Sequence, residues 1–317
     1  MLISCGEGKK TDGTTDAATE AQTDEITTAE ATVTEKEPYV PVVDDWVAAI
    51  FGGGPFVMGG QKVHDDIKNS GFNTLMIWSV HVQTDGSLWL NDMCAVKDGE
   101  WQINFPAGKK YVYVWDDLIA EDSSITRIEL SVGAWGTKDF ENIRTLMKKD
   151  GDGEDTVLYK NFKCLIEKTH ATAINFDDES CYDADAMAAF GKMCGRMGMK
   201  ITLCPYTSMS FWKSLKDKLG DLCDRIYVQC YDGGAWNNPA DWTKAMGMKV
   251  IPGYWCLNNE KSSQGKTAAD VKKNLEAHSS NITGGFMWLY DHMKQLTGKN
   301  TTADYGDAII SANPKNK

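Results

Sequence analysis

Ala171-Thr172-Ala173-Ile174-Asn175-Phe176-Asp177-Asp178-Glu179 changes character halfway along. Its first half is small and apolar, and its second half is rich in carboxylates. As a strand it sends successive side chains to opposite faces. Asn175, Asp177 and Glu179 then share one face, with Ile174, Phe176 and Asp178 on the other. Two residues of strand rise put Asp177 and Glu179 roughly 6.5–7 Å apart at the backbone. Paired carboxylates act on a glycosidic bond at that scale. The competing reading is a strand that runs out into a solvated acidic loop. The flanking segments decide between them.

Upstream, apolar runs at 46–51, 73–82 and 125–132 alternate with helical patterns. Downstream, 200–206, 225–232, 249–256 and 283–291 do the same. Phe140, Ile143 and Met147 show the helical spacing within one intervening segment, 137–149. The opening stretch is thus the fourth of eight strands. The runs are continuous rather than alternating, as expected of parallel strands buried on both faces. Eight strand–helix alternations in 317 residues predict an α/β chain with a single (β/α)8 TIM barrel. Asp304–Ser311 is available to complete the ring. Residues 83–110 read as a hairpin insertion after the second strand, with Thr84-Asp85-Gly86-Ser87 as its turn. A doubly wound open sheet is the alternative. Gly52-Gly53-Gly54-Pro55 follows the first strand but lacks the glycine spacing of a nucleotide turn, and Pro55 removes a backbone donor. Asp150-Gly151-Asp152-Gly153-Glu154-Asp155 fails the calcium-loop pattern and reads as a solvated turn.

The net charge is −12. Residues 1–38 carry nine Asp/Glu against three Lys, which is half of it. Nucleic acid and anionic membranes are disfavoured partners, whereas a neutral sugar is not. Residues 6–38 hold nine Thr and few large apolar side chains, so they predict a disordered tether before a domain at 39–317. Leu2-Ile3-Ser4-Cys5 resembles the end of a bacterial lipoprotein signal. It predicts lipidation of Cys5 and an extracellular, cell-surface protein held to the envelope only by that anchor. No apolar stretch has the length of a membrane span. The nine cysteines show no metal-ligand spacing, nor do the five histidines. Mostly free, buried thiols and no cofactor or metal are expected. The chain is expected to act as a monomer.

In a barrel of this kind the active site lies at the C-terminal strand ends. Ser131-Val132-Gly133-Ala134, Asn175, Asp177, Glu179, Pro205-Tyr206, Gln229-Cys230-Tyr231-Asp232, Tyr254-Trp255 and Trp288-Leu289-Tyr290-Asp291 all stand there. This inventory suits carbohydrate, with flat aromatic faces for sugar rings and carboxylates and hydroxyls for their edges. Thr172-x-x-Asn175-x-Asp177-x-Glu179 resembles the Asp-x-x-Asp-x-Asp-x-Glu motif of glycoside hydrolase family 18. Ser131-Val132-Gly133-Ala134 is similar to that family's Ser-x-Gly-Gly, Tyr231-Asp232 to its sixth-strand Tyr-Asp, and Trp288 to its eighth-strand Trp. The matches keep order and spacing over nearly all of 46–291. Phe176-Asp177-Asp178-Glu179 most resembles the bacterial endo-β-N-acetylglucosaminidases of that family, which also holds the chitinases. The resemblance implies retaining, substrate-assisted hydrolysis at GlcNAc, with an N-glycan or another GlcNAc-containing oligosaccharide as partner. It implies Glu179 as general acid, Asp177 orienting the 2-acetamido group, Tyr231 bonding its carbonyl, and Trp288 flooring the pocket. Asn175, Asp232, Gln229, Ser131, Gly133 and Tyr206 would complete the substrate site. Thr172 and Asn175 depart from the motif. Asn175 is expected to donate to Asp177 in place of the missing carboxylate, and a surface barrel that binds glycans without turnover, or a chitinase, is the alternative function.

Overall fold

The computed structural model describes residues 46–103, 115–259, 262–298 and 300–316. Cys5, the tether, the boundary near residue 39 and residues 104–110 of the insertion lie outside them. In chain order, β1 (Val47–Gly52) leads through α1 (Gly54–Met58) and α2 (Gln61–Lys68) to β2 (Thr74–Val82). Three short strands follow: β3 (Leu88–Leu90), β4 (Met93–Lys97) and β5 (Glu100–Trp101). Then come α3 (Trp115–Leu118), β6 (Arg127–Val132), α4 (Asp139–Asp150) and α5 (Val157–Thr169). The repeat continues as β7 (Ala173–Phe176), α6 (Ala184–Arg196), β8 (Lys200–Leu203), α7 (Met209–Leu219), β9 (Cys223–Gln229) and α8 (Pro239–Met246). It ends with β10 (Ile251–Trp255), α9 (Ala268–Ala277), β11 (Gly284–Trp288), α10 (Tyr290–Met293) and α11 (Thr302–Ser311).

Eight of these strands, β1, β2 and β6 to β11, pair in parallel, and β1 bonds both β2 and β11. The ring is therefore closed, and the fold is the expected (β/α)8 barrel. Asp304–Ser311 lies in a helix, and the seam is made by β1 on β11 instead. At that seam the chains nearly touch: a Cβ on Gly284 would sit 2.0 Å from the Val47 carbonyl oxygen, at a φ of +148°. Only glycine fits there. The insertion is a small antiparallel sheet that extends β2 through β3, β4 and β5.

Local chemistry places the helices. Thr156 and Asp183 cap α5 and α6, and Thr267/Asp270 and Thr301/Asp304 form capping boxes at α9 and α11. Strand alternation then sorts two cores. Ile128, Leu130, Ile174, Phe176, Ile201 and Leu203 face the helices, while Val47, Phe51, Met76, Tyr227, Trp255 and Phe286 fill the barrel interior. The interior is apolar on the β1, β10 and β11 side. On the β6 to β9 side it is polar, and buried Glu129, Ser131, Asn175, Thr202 and Asp177 stand there. One side of the barrel therefore carries the chemistry.

Candidate active site

Near the barrel base, Arg127 makes a bidentate pair with Asp224 at 2.7 and 3.1 Å and an ion pair with Glu129 at 2.8 Å. Glu129 also accepts from Tyr227 at 2.8 Å and from Thr202 at 2.6 Å. Asn175 sits next in this network, fully buried. Its amide donates to Thr202 Oγ1 at 2.9 Å, and its oxygen accepts from Ser131 at 2.9 Å. Among the described residues Asn175 makes no hydrogen bond to Asp177, contrary to the expectation. Thr202 spends its own proton on Glu129, so it offers Asn175 a lone pair that Asp177 would otherwise have matched. Ser131 is equally enclosed, and both residues position the strands rather than line the cleft.

Above them β7 ends at Phe176, and Asp177 continues its ladder by donating its N–H to the Val132 carbonyl. Gly133 makes this possible. Its φ is +98°, and a Cβ there would lie 2.4 Å from the Asp177 carbonyl oxygen. Asp178 is turned away and buried. It accepts from the backbone N–H groups of Ser180, Cys181 and Tyr182 at 3.1, 2.9 and 2.6 Å. This three-fold clamp shapes the loop on which Glu179 sits, a role with no signature in the sequence.

Asp177 is buried, and Gln229 donates to its Oδ1 at 3.1 Å while also donating to the Cys204 carbonyl at 3.2 Å. Burial, then the Glu179 charge, holds the Asp177 carboxyl well above the usual carboxylate range. Glu179 is half-buried and is pushed up to about 7, first by burial and next by the charge of Asp232, with Asp178 adding to it. Both neighbouring carboxyls thus resist ionising, and their titrations are linked. Asp232 is exposed at the rim in a left-handed backbone (φ +46°), its N–H held by Gln264 at 2.8 Å.

Tyr231 closes the other side. It is 5% exposed, stacks on Trp255 at 5.3 Å, and lies 6.0 Å from Trp288. Its buried hydroxyl has no hydrogen-bond partner among the described residues. Burial, with the nearby Cys204, Asp177 and Glu179, pushes the phenol far up, so it stays a donor. Trp288 meets Trp78 edge-on at 4.7 Å. Tyr206 is partly exposed at the rim beside Gly233. Of the seventh-strand pair only Trp255 enters the barrel; Tyr254 packs outward against the helices. Sequence reasoning also passed over Trp78, Cys204, Trp135 and Trp236. The last two are 83% and 95% exposed on the loops that follow β6 and β9. Large exposed aromatics at a strand-end cleft are a binding signal, yet in sequence they look like any other tryptophan. All eight described cysteines are free, four of them buried.

No family model and no curated protein matches the chain. Solved structures do. The GH18 chitinase ChiB of Flavobacterium johnsoniae superposes with a TM-score of 0.56 at 12% identity, over 83% of this chain and 93% of that one. Active domain 2 of the thermostable chitinase of Pyrococcus furiosus, solved with chito-oligosaccharides, gives 0.56 at 12%, over 87% and 97%. The GH18 chitinase of Cycas revoluta, in complex with (GlcNAc)3, gives 0.54 at 11%, over 83% and 99%. The fold is similar to that of GH18 chitinases. At these identities the likeness concerns the backbone, and the site must be argued from its own residues.

Proposed function

We propose that this chain is a glycoside hydrolase of the GH18 type, cleaving β-1,4 linkages at GlcNAc with retention. Its substrate is an N-glycan, cut in the core chitobiose. The observation that carries this reading is the buried, unpartnered Tyr231 hydroxyl beside the Asp177–Glu179 pair, in which burial and mutual repulsion favour one proton over none. An unpaired donor in such a place is costly unless a ligand takes it, and an acetamido carbonyl oxygen suits it. Glu179, near half-protonated at pH 7, donates its proton to the departing glycosidic oxygen. As the C1–O bond breaks, the sugar's own acetamido oxygen bonds to C1 and forms an oxazolinium ion. Asp177 accepts from the acetamido N–H and balances its developing charge, held in place by Gln229. Water then adds to C1 on the face the leaving group left, losing a proton to Glu179, and the ring reopens to the acetamide. No protein nucleophile is needed, the exception that this substrate-assisted route makes. Trp288 and Trp78 floor the sugar pocket.

The absence of a carboxylate at 175 favours a second reading, a surface glycan-binding barrel without turnover. The chito-oligosaccharides bound to two of the similar structures favour chitin as the alternative substrate. One experiment separates these. A high-mannose glycoprotein and chitin oligomers are each incubated with the protein and with Glu179→Gln. Glycan release from the glycoprotein supports the N-glycan reading, and release from chitin alone replaces its substrate. Binding without release overturns the enzyme. Undiminished release by the Gln variant overturns the assigned acid. Cys5 and the Thr-rich segment support display of a monomer on a bacterial envelope by a lipid anchor. Loss of fatty-acid labelling in Cys5→Ser tests the anchor.

A further inference from the structure

Three residues that the site leaves unused meet in a chain. Ser79 Oγ lies 2.8 Å from His81 Nε2, and His81 Nδ1 lies 3.0 Å from Asp139 Oδ2. The order and distances are those of a Ser–His–Asp triad. Ser79 is only 1% exposed, so no acyl group can reach its Oγ, and a nucleophile is excluded. What the chain holds instead is a bulge. Trp78 lies opposite Ser131 and Val80 opposite Val132, so Ser79 is an extra residue in β2. Bulges beside active sites re-aim neighbouring side chains. The neighbour here is Trp78, whose ring meets Trp288 at 4.7 Å. Other bonds grip the same spot. Asn91 donates through its N–H to the Ser79 carbonyl at 3.0 Å and through its amide to the Trp78 carbonyl at 3.2 Å. Asp139 also accepts from the Val82 N–H at 2.7 Å, so helix α4 and strand β2 are tied at one point. The Trp78 indole N–H is buried and makes no well-formed hydrogen bond among the described residues. It lies close enough to Asp177 to favour its anion.

We propose that Ser79, His81 and Asp139 form a positioning relay that holds the β2 bulge and so sets the Trp78 indole against Trp288 at the sugar pocket. The proposal deepens the glycosidase reading and rests on it for the name of the pocket, but its main test does not. His81 and Asp139 act through Ser79 and touch no reacting atom.

The test follows the indole N–H signals of isotope-labelled protein by NMR as pH is raised through neutrality. Trp78→Phe assigns one signal among those of eleven tryptophans. In the wild-type protein the Trp78 signal shifts as the Asp177–Glu179 pair ionises, and Glu179→Gln removes or displaces that step. Ser79→Ala, His81→Gln and Asp139→Asn each move the Trp78 signal and abolish its titration, with the tryptophans remote from the bulge unchanged. Ser79→Thr, which keeps the hydroxyl, retains the titration. If Ser79→Ala does not fold, His81→Gln, an amide of similar reach, answers the same question. A Trp78 signal that titrates identically in the wild type and in the folded relay variants overturns the relay. With a GlcNAc substrate in hand, the relay variants lose about tenfold in kcat with KM within about twofold. A wild-type protein with no turnover counts against the glycosidase reading alone, because the NMR result is read without substrate.

Discussion

An exposed glutamate is a carboxylate at pH 7, whereas Glu179 is pushed up to about 7 by burial and by the charges of Asp232 and Asp178. Two consequences carry opposite signs. As the proposed general acid, Glu179 would work only while protonated, so kcat/KM is expected to fall as pH rises through about 7. Stability follows the linkage. The folded protein holds a proton that the unfolded chain, at its ordinary value of 4.5, releases sooner. The contribution of Glu179 to stability is therefore greatest below 4.5 and declines as pH rises to about 7, with the loss complete above it. Glu179→Gln cannot ionise. Its melting temperature should exceed the wild type's at alkaline pH and match it in acid, while turnover is lost; a flat difference across pH would refute the assignment. Tyr231 supplies the companion case. Tyr231→Phe keeps the ring on Trp255 and removes an unsatisfied buried hydroxyl, so stability should hold or rise by about 1 kcal/mol. The rate should fall about a hundredfold, the scale of losing one transition-state donor. Denaturant melts and kcat measured on the same samples check both.

At the scale of elements, the fourth barrel strand and its loop are set by different residues. Alternation along β7 puts Asn175 and Asp177 inside the barrel, as its sequence pattern predicts. The pattern says nothing of the loop beyond Phe176, where Asp178 bonds three backbone N–H groups. Asp178→Ala should release 179–182 at a cost of about 1–3 kcal/mol and lower kcat more than it raises KM. Unchanged kcat in a folded Asp178→Ala protein would show that the clamp does not position Glu179. The loop after β9 makes the complementary point. Trp236 is exposed and supports nothing in the fold. Trp236→Ala should leave the melting temperature unaltered and weaken oligosaccharide binding about tenfold, read by calorimetry on the Glu179→Gln background. Equal affinities would remove Trp236 from the binding face.

Over the whole molecule, the barrel interior divides into an apolar side and a polar side, and the polar side has its charges matched near the base. Buried Arg127 bonds both the buried Glu129 and the partly exposed Asp224 there. Arg127→Met would leave Glu129 with Arg225, 3.5 Å away, as its remaining cationic partner and should cost about 3 kcal/mol in urea unfolding at neutral pH. A loss under about 1 kcal/mol would show that Arg225 alone balances Glu129. The sequence by itself determined the eight-strand ring, the insertion after the second strand and the strand ends that meet at the site. Continuous apolar runs, turn residues and a two-residue period are local properties, and they survive without knowledge of partners. Only the tertiary structure decided which polar atoms pair. Asn175 turns to Thr202 and Ser131 rather than to Asp177, Tyr254 leaves the barrel while Trp255 enters it, and Ser79, His81 and Asp139 join across strand and helix. Hydrogen bonds need ångström geometry between residues far apart in the chain, and that geometry exists only once the barrel has closed.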